Sequence, residues 1–420
     1  MPKKDYNPLA NRLLSAHRAC LVDGVLHAFV DGRWVHGKDA VLSAIARMDR
    51  STTRVDRAEV YDLVLRLAPE RGYSDPRYLQ FANRVLDIRT MDFREPSPDF
   101  LIPNLIPWMW DPTAVSDAVE EYLDSTATGD SGTRALIEEM LGASVSRARL
   151  PYIWVVVGTS KSRGGDAKNG KSTLLLIASL MAGRANTCEL DVHDFGRHFM
   201  TVSLRGVTLA ISTDTSSAQI EPASLSVLKR VPTQDPILAD VKNAQAVRFR
   251  PYASVLIAAN RVPGFVADSG LERRTVVVPL SGQFPEGAAD PTSALDNDDC
   301  MSAMLVHAVT GLRRLLENGP IMTATGEDER AKLVSISSTV GQWSDERNVD
   351  TLWLDGQTCM NVYRDYQLWC LDAGYKPMPK GEFDRELAGR FPDVTARKCR
   401  RNGSTPTNRW VAVAAQAQRD

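Results

Sequence analysis

The chain has 420 residues, enough for two or three domains, each with its own core. Against 50 Lys and Arg stand 52 Asp and Glu; the formal net charge of −2 excludes a globally basic nucleic-acid coat and leaves only local patches. The 6 cysteines are scattered without a C-x-x-C pair, and neither an apolar leader nor a membrane-length apolar stretch is present, so the expectation is a soluble, cytoplasmic protein with reduced thiols, no zinc site and no membrane partner.

Residues 1–110 predict an α+β module. Apolar runs at 25–30 and 33–35 flank Asp31-Gly32, the favoured two-residue hairpin turn. Over 56–68, Val60, Leu63, Val64 and Leu67 fall on one helical stripe. Pro96, Pro98, Pro103 and Pro107 mark an irregular passage. A helical linker or collar is expected over 111–150. Its first helix should start at Asp111-Pro112, with Asp as N-cap and Pro at the first position. Its second, 133–141, should stop at Gly142.

From 151 to 285 apolar runs alternate with helical segments. The runs 153–157, 207–211, 254–258 and 275–278 are rich in Val and Ile and lack strict alternation, the pattern of strands buried on both faces of a parallel sheet. Residues 236–249 read as a hairpin with its tip near Lys242-Asn243-Ala244-Gln245. A helical extension over 286–345 carries Met301, Leu305, Val309, Leu312 and Leu316 on one face and ends at Gly319. The last domain, 346–420, has helices at 360–373 and 379–391 and strands at 394–400 and 409–413 around Asn402-Gly403; Tyr363, Tyr366 and Trp369 read as its core.

The chemistry sits in Gly165-Asp166-Ala167-Lys168-Asn169-Gly170-Lys171-Ser172-Thr173, which satisfies the phosphate-loop pattern between an apolar strand and an apolar helix. Glycines let backbone N–H groups close around phosphate oxygens, and the helix N-terminus adds partial positive charge. Gly165, Asn169, Gly170, Lys171, Ser172 and Thr173 form the nucleotide cradle; Lys171 reaches the β- and γ-phosphates and Ser172 holds Mg²⁺. Asp214, just past the 207–211 strand, has the position of an acid that binds metal or polarises water, or else of a solvated turn acid. Asn260, after the 254–258 run, can orient the attacking water or merely turn the chain. Arg273 and Arg274 precede the next strand, where they either stabilise the γ-phosphate of a neighbouring subunit or stay solvated.

In this order, with the segments 78–87, 169–174, 228–237, 249–251, 256–260 and 273–279, the chain from about Tyr78 onward resembles the superfamily 3 helicase module of phage and plasmid primase–helicases, related to poxvirus replication ATPases. The resemblance implies an α/β fold: an AAA+ P-loop NTPase core with a parallel sheet, an N-terminal α+β and helical module, and a C-terminal winged-helix domain. It implies an ATP-driven hexameric ring translocating on DNA, with ATP and Mg²⁺ between subunits and catalytic roles for Lys171, Asp214, Asn260, Arg273 and Arg274. Its DNA-tracking hairpin corresponds to 236–249, with Lys242 on the phosphate backbone unless that lysine only protects a strand edge. In the winged-helix part, Lys380 on a helix and Arg397, Lys398, Arg400 and Arg401 on a hairpin suit DNA phosphates.

Three departures stand out. Asp214 replaces the family's usual Glu and is one methylene shorter, which is expected to slow water activation or recruit another base. Thr233-Gln234 replaces a Gly-Gly pair and should stiffen that turn. The loop ahead of the phosphate motif is longer than usual. The expected activity is an ATP-dependent DNA helicase for replication of a phage or mobile element, acting on single-stranded and forked or duplex DNA as a homo-hexamer, with a separate primase or other replication proteins as further partners. The alternative is an origin-binding initiator that uses ATP to melt DNA locally. Primer synthesis is not expected, because the segment before Tyr78 has no convincing cluster of metal-binding acids.

Overall fold

The computed structural model describes residues 5–15, 18–158, 169–213, 220–242, 245–259, 269–282, 290–328, 339–373, 375, 377–400 and 406–413. Contacts divide the chain into two units, the smaller consisting mainly of residues 330–420. Among the described residues no helix is long and apolar enough to cross a membrane.

Turn chemistry builds the first sheet of the larger unit. Strands β1 (Ala19–Val22), β2 (Val25–Val30) and β3 (Arg33–His36) form an antiparallel meander. Its turns, Asp23-Gly24 and Asp31-Gly32, have positive φ at both positions, as the right-handed strand twist requires of two-residue hairpins. Helices α1 (Asn7–Leu14), α2 (Lys38–Met48) and α3 (Arg54–Leu67) close a core around Leu13, Leu26, Ile45, Val60 and Val64. A capping box of Thr53 and Asp56 starts α3. Leu67, expected on the buried stripe, is 57% exposed, while Tyr61 is buried.

A second small sheet, β4 (Tyr78–Phe81), β5 (Val85–Asp87), β6 (Phe93–Arg94) and β7 (Leu105–Ile106), has the order β6-β5-β4-β7. Helix α4 (Asp117–Ala127) begins later than the Asp-Pro signal predicts. The Asp111 carboxylate instead accepts from the Thr113 backbone N–H at 2.9 Å and hydroxyl at 2.7 Å, closing a local turn.

Helix α5 (Ser131–Ser144) also corrects the sequence reading, since it runs through Gly142. The glycine serves packing rather than termination. A Cβ there would meet the Ala308 carbonyl oxygen at 2.2 Å, and one on Gly311 would meet the Glu138 carbonyl carbon at 2.3 Å. These two glycines bring the backbones of α5 and α10 (Asp298–Asn318) into contact. Gly319, at φ 76, terminates α10 as expected; Leu315, rather than the half-exposed Leu316, completes its buried face.

The central sheet is β8 (Ile153–Gly158), β9 (Thr187–Glu189), β10 (Leu209–Ser212), β13 (Ser254–Ala259) and β14 (Thr275–Leu280). Its order is β14-β8-β13-β10-β9 and every pairing is parallel. Helices α6 (Lys171–Ala182) and α7 (Pro222–Thr233) connect its strands, β11 (Ile237–Ala239) and β12 (Val247–Phe249) form an antiparallel pair, and the short α8 (Ser269–Glu272) and α9 (Pro291–Leu295) follow. The expected linker and extension helices share one hydrophobic core with this sheet: Leu123, Ile137, Leu305 and Leu312 are buried together with Trp154, Ile177 and Leu256.

An ionic network ties the same helices. Arg314 reaches the fully buried Glu139 at 2.8 Å, and Arg134 bridges Glu120, Asp124 and Glu138. His307 contacts Glu120 at 2.9 Å and Glu138 at 3.3 Å. Its hydrogen bond to Glu138, reinforced by both carboxylate charges against partial burial, raises its pKa above the free-histidine value.

The smaller unit packs helices Thr339–Glu346, Thr351–Leu354, Cys359–Asp372 and Lys380–Arg390 with the antiparallel pair β15 (Val394–Cys399) and β16 (Thr407–Ala412). Trp343, Tyr366, Phe383 and Trp410 are its fully buried aromatics; Trp369 is also buried, and Tyr363 packs against this core. The expected Asn402-Gly403 turn lies outside the described residues.

Two measurements check this packing. Gly142→Ala should force α5 and α10 apart and lower stability by about 1–3 kcal/mol, read as an earlier urea midpoint; an unchanged midpoint would refute the close contact. Because His307 has a raised folded pKa, its stabilisation is fully present below about pH 6.5 and is lost as pH rises through the folded value. Wild type should therefore lose stability relative to His307→Gln as pH rises above about 6.5, a difference that chemical denaturation over a pH series will measure.

Candidate functional site

Five parallel strands give the larger unit two unlike edges. At the carboxyl edge β8, β13 and β14 end almost level, with Val157 opposite Ala259 and Gly158 opposite Leu280. Crevices at this edge of open α/β sheets are the usual place for ligands. Helix α6 starts there. Its N-cap is Gly170, in a left-handed conformation (φ 75, ψ 9) that a side-chain-bearing residue adopts only at a cost. Gly170 contributes no capping side chain, so the first turn of α6, with Lys171, Ser172 and Thr173, carries no side-chain cap from its own N-cap residue. Lys171 and Thr173 are half-buried and Ser172 is exposed.

Asn169 is 4% exposed, and its amide lies over Gly158: a Cβ on that glycine would meet Asn169 Nδ2 at 2.6 Å. The chain thus re-enters the site against the end of the strand from which it left. The far end of α6 is fixed as well. Trp108 Nε1 donates to the Leu180 carbonyl at 2.8 Å, and Pro107 packs where Gly183 has no side chain.

Of the remaining sequence-predicted residues, Gly165, Asp214, Asn260 and Arg401 lie outside the described residues. The strands leading to Asp214 and Asn260 end at Ser212 and Ala259 on the carboxyl edge. One acid at this edge escaped the sequence reading. Glu189 closes the short strand β9, is exposed, and accepts a hydrogen bond from the Thr213 hydroxyl at 3.2 Å. An acid ending a three-residue strand has too little apolar context to be noticed. Next to it, Asp191 accepts from His193 Nδ1 at 2.7 Å, and the Val192 N–H donates to Ser212 Oγ at 3.2 Å, so this loop wraps the end of β10. Burial pushes the Cys188 thiol in β9 up to about 12, which leaves it unreactive.

Arg273 and Arg274 belong to the opposite edge. The Arg274 carbonyl accepts from the Ile153 N–H at the very start of β8. From there to the level of Gly158 the sheet extends about 20 Å at the usual rise of a strand. The two arginines of one chain and its own α6 N-terminus therefore cannot meet at one phosphate. They also differ from each other. Arg273 is exposed, whereas Arg274 is half-buried and donates to the Lys229 carbonyl near the end of α7 at 3.3 Å.

The β11–β12 hairpin rises from this amino edge, with Ile237 opposite Phe249 and Ala239 opposite Val247. Lys242 lies exposed beyond β11; Asn243 and Ala244 lie outside the described residues. The turn leading into the hairpin explains the Thr233-Gln234 departure. Gln234 sits in the left-handed region at φ 56, where glycine would be at ease. It is held there by its side-chain amide on the Arg147 carbonyl at 3.0 Å and by Arg250, which reaches its carbonyl at 3.4 Å.

In the smaller unit Arg397, Lys398 and Arg400 are exposed on and just past β15. Arg409, opposite Arg397 in the ladder, is anchored on the Gly356 carbonyl at 2.8 Å. Lys380 is paired with Asp384 one helical turn on.

Comparison with known proteins adds to this geometry. A family model described as "D5 N terminal like" matches residues 17–128, and one described as a family of unknown function (DUF5906) matches residues 163–274. Both are typical of phage and plasmid primase–helicase proteins and point to a DNA-binding replication protein of that type. No curated protein matches the chain. Among solved structures it is similar in fold to the apo structure of the NrS-1 C-terminal region (305–718), at 11% identity and a TM-score of 0.54, over 98% of this chain and all of that one. The A form of the apo NrS-1 C-terminal region has 12% identity and a TM-score of 0.51 over the same shares.

Since Arg274 holds the end of α7, Arg274→Ala should lower stability by about 0.5–1.5 kcal/mol in chemical denaturation. An unshifted midpoint would remove the structural role assigned to that bond.

Proposed function

We propose that this chain is an ATP-dependent DNA helicase for replication of a phage or mobile element, working as a hexameric ring. One observation carries the reading: the N-terminus of α6 and the Arg273-Arg274 pair occupy opposite edges of one parallel sheet. A site that needs both is completed by a second copy, whose amino edge faces the first copy's carboxyl edge. Ring assembly and hydrolysis are then a single requirement.

In this mechanism the α6 N-terminus and the loop before it bind the triphosphate of ATP, with Lys171 on the β- and γ-phosphates. Ser172 and Asp214 are the side chains that would hold Mg²⁺, which when bound neutralises charge on the phosphate oxygens. Asp214 orients or deprotonates the attacking water, assisted by Asn260. Glu189 is the second carboxylate that the shorter Asp214 calls for, bonded through Thr213 one residue before it. Arg273, the exposed member of the pair, is assigned to the neighbouring subunit's γ-phosphate, while Arg274 supports it from the end of α7. The core then belongs to the AAA+ class, with an N-terminal α+β module over 1–110, and α4, α5, α9 and α10 share the core of its sheet.

Lys242 on the hairpin is assigned to the DNA backbone. The smaller unit is read as a winged helix in which Arg397, Lys398, Arg400 and Arg401 contact phosphates. Support comes from the ladder, where Arg397 lies directly opposite Arg409. Like charges so placed repel, and a bound polyanion relieves the repulsion. The pairing of Lys380 with Asp384 makes that lysine the weakest of the assigned contacts.

Lys171→Ala should lower DNA-stimulated ATP hydrolysis at least about a hundredfold. Arg273→Ala subunits, mixed with wild type, should suppress turnover more than their share of the mixture. Wild-type turnover by the Lys171 variant, or simple dilution behaviour in the mixing experiment, would sink the shared-site mechanism.

A further inference from the structure

The N-terminal module holds a cavity of about 360 Å³ that plays no part in the nucleotide site. Three arginines from separate elements line it: Arg12 in the last turn of α1, Arg18 just before β1, and Arg47 in the last turn of α2. The floor is the β2–β3 turn, with Asp31, Gly32 and the half-buried Phe29. Arg47 is bonded to Asp31 at 3.3 Å, the one carboxylate among the described residues that line the cavity. Among the described residues the Arg12 and Arg18 side chains have neither an ion pair nor a hydrogen bond. The described lining therefore carries three cations against one anion.

This convergence is not an accident of helix ends. A basic residue in a last turn answers the carbonyl dipole of its own helix, which accounts for Arg12 and Arg47 separately. Arg18 ends no helix, and its backbone is held beside β2 by the Phe29 N–H, which donates to its carbonyl at 2.6 Å. Nothing in the fold asks three guanidinium groups to share one cavity, and their mutual repulsion, eased at Arg47 by Asp31, falls further when an anion enters. Planar forks of this kind match phosphate oxygens bidentately, and an aromatic wall beside them suits a base.

We propose that this cavity binds the phosphate backbone of single-stranded DNA, through Arg12 and Arg18 foremost, as a contact separate from the β11–β12 hairpin and from β15. The choice of a DNA strand rests on the replication reading above; the anion site itself rests on the cavity. The strand would pass over Phe29, and Asp31 keeps Arg47 in place at the edge.

The test uses the full chain and a fluorescein-labelled 20-nucleotide oligodeoxythymidylate, with anisotropy followed over a series of salt concentrations. Arg12→Ala/Arg18→Ala should weaken binding on the order of tenfold and reduce the slope of log affinity against log salt by about 1.4, two single-strand phosphates' worth. Both side chains are exposed, so the thermal midpoint should stay at the wild-type value, separating lost contact from lost fold. An unchanged slope and affinity overturns the proposal, as does wild-type protein that binds no oligonucleotide. ATP turnover measured on the same samples reports on the helicase reading independently. In Lys171→Ala protein, dTTP and orthophosphate are titrated separately. Binding of either that is lost with the two arginines, while strand affinity stays constant, would assign the cavity to a free phosphate and overturn the strand.

Discussion

Parallel pairing of all five central strands is the constraint from which the rest follows. A parallel sheet sends every strand end of one kind to the same edge, so the α6 N-terminus, Glu189 and the ends of β10 and β13 gather on one side. By the same rule Arg273, Arg274 and the hairpin base fall on the other. No rearrangement of side chains alters that separation, because it is set by strand length. Chemistry that draws on both sides needs two copies of the chain.

The sheet holds its position because helices from distant parts of the sequence are locked to it. Helices α4, α5 and α10 share its hydrophobic core and are joined by the Arg134, Glu138, Glu139, His307 and Arg314 network. Removing Arg314 would leave the fully buried Glu139 without its counter-charge, which is costlier than the bond it breaks. Such a brace suits a site whose two halves must stay in register while partners come and go. The segment around Trp108 does for α6 what the network does for α5 and α10, anchoring the helix at the end away from its N-terminus.

Much of this was readable from residue order alone, and the misreadings have identifiable causes. Strands buried on both faces announce themselves by unbroken Val and Ile, so β8, β10, β13 and β14 were legible to within two residues. Asp31-Gly32 specifies its turn because few pairs tolerate positive φ at both positions, and Asp23-Gly24 carries the identical signal. Gly142 was misread because a glycine that stops a helix and one that admits a neighbouring backbone look alike in one dimension. Asp111-Pro112 fits a helix start and an Asx turn equally; only the distance to Thr113 decides between them. Glu189 stayed hidden for want of flanking apolar residues, and the cavity of Arg12, Arg18 and Arg47 because its members lie up to 35 positions apart.

The near-touching backbones at Gly142 and Gly311 carry an implication for descent. Each position tolerates enlargement only if the other axis retreats, so drift at one is penalised unless its counterpart drifts too. Divergent cousins of this chain should keep a matched pair of the tiniest side chains at both places long after the outer surface has become unrecognisable. That signature would let α5 and α10 be located in sequences too distant for ordinary alignment.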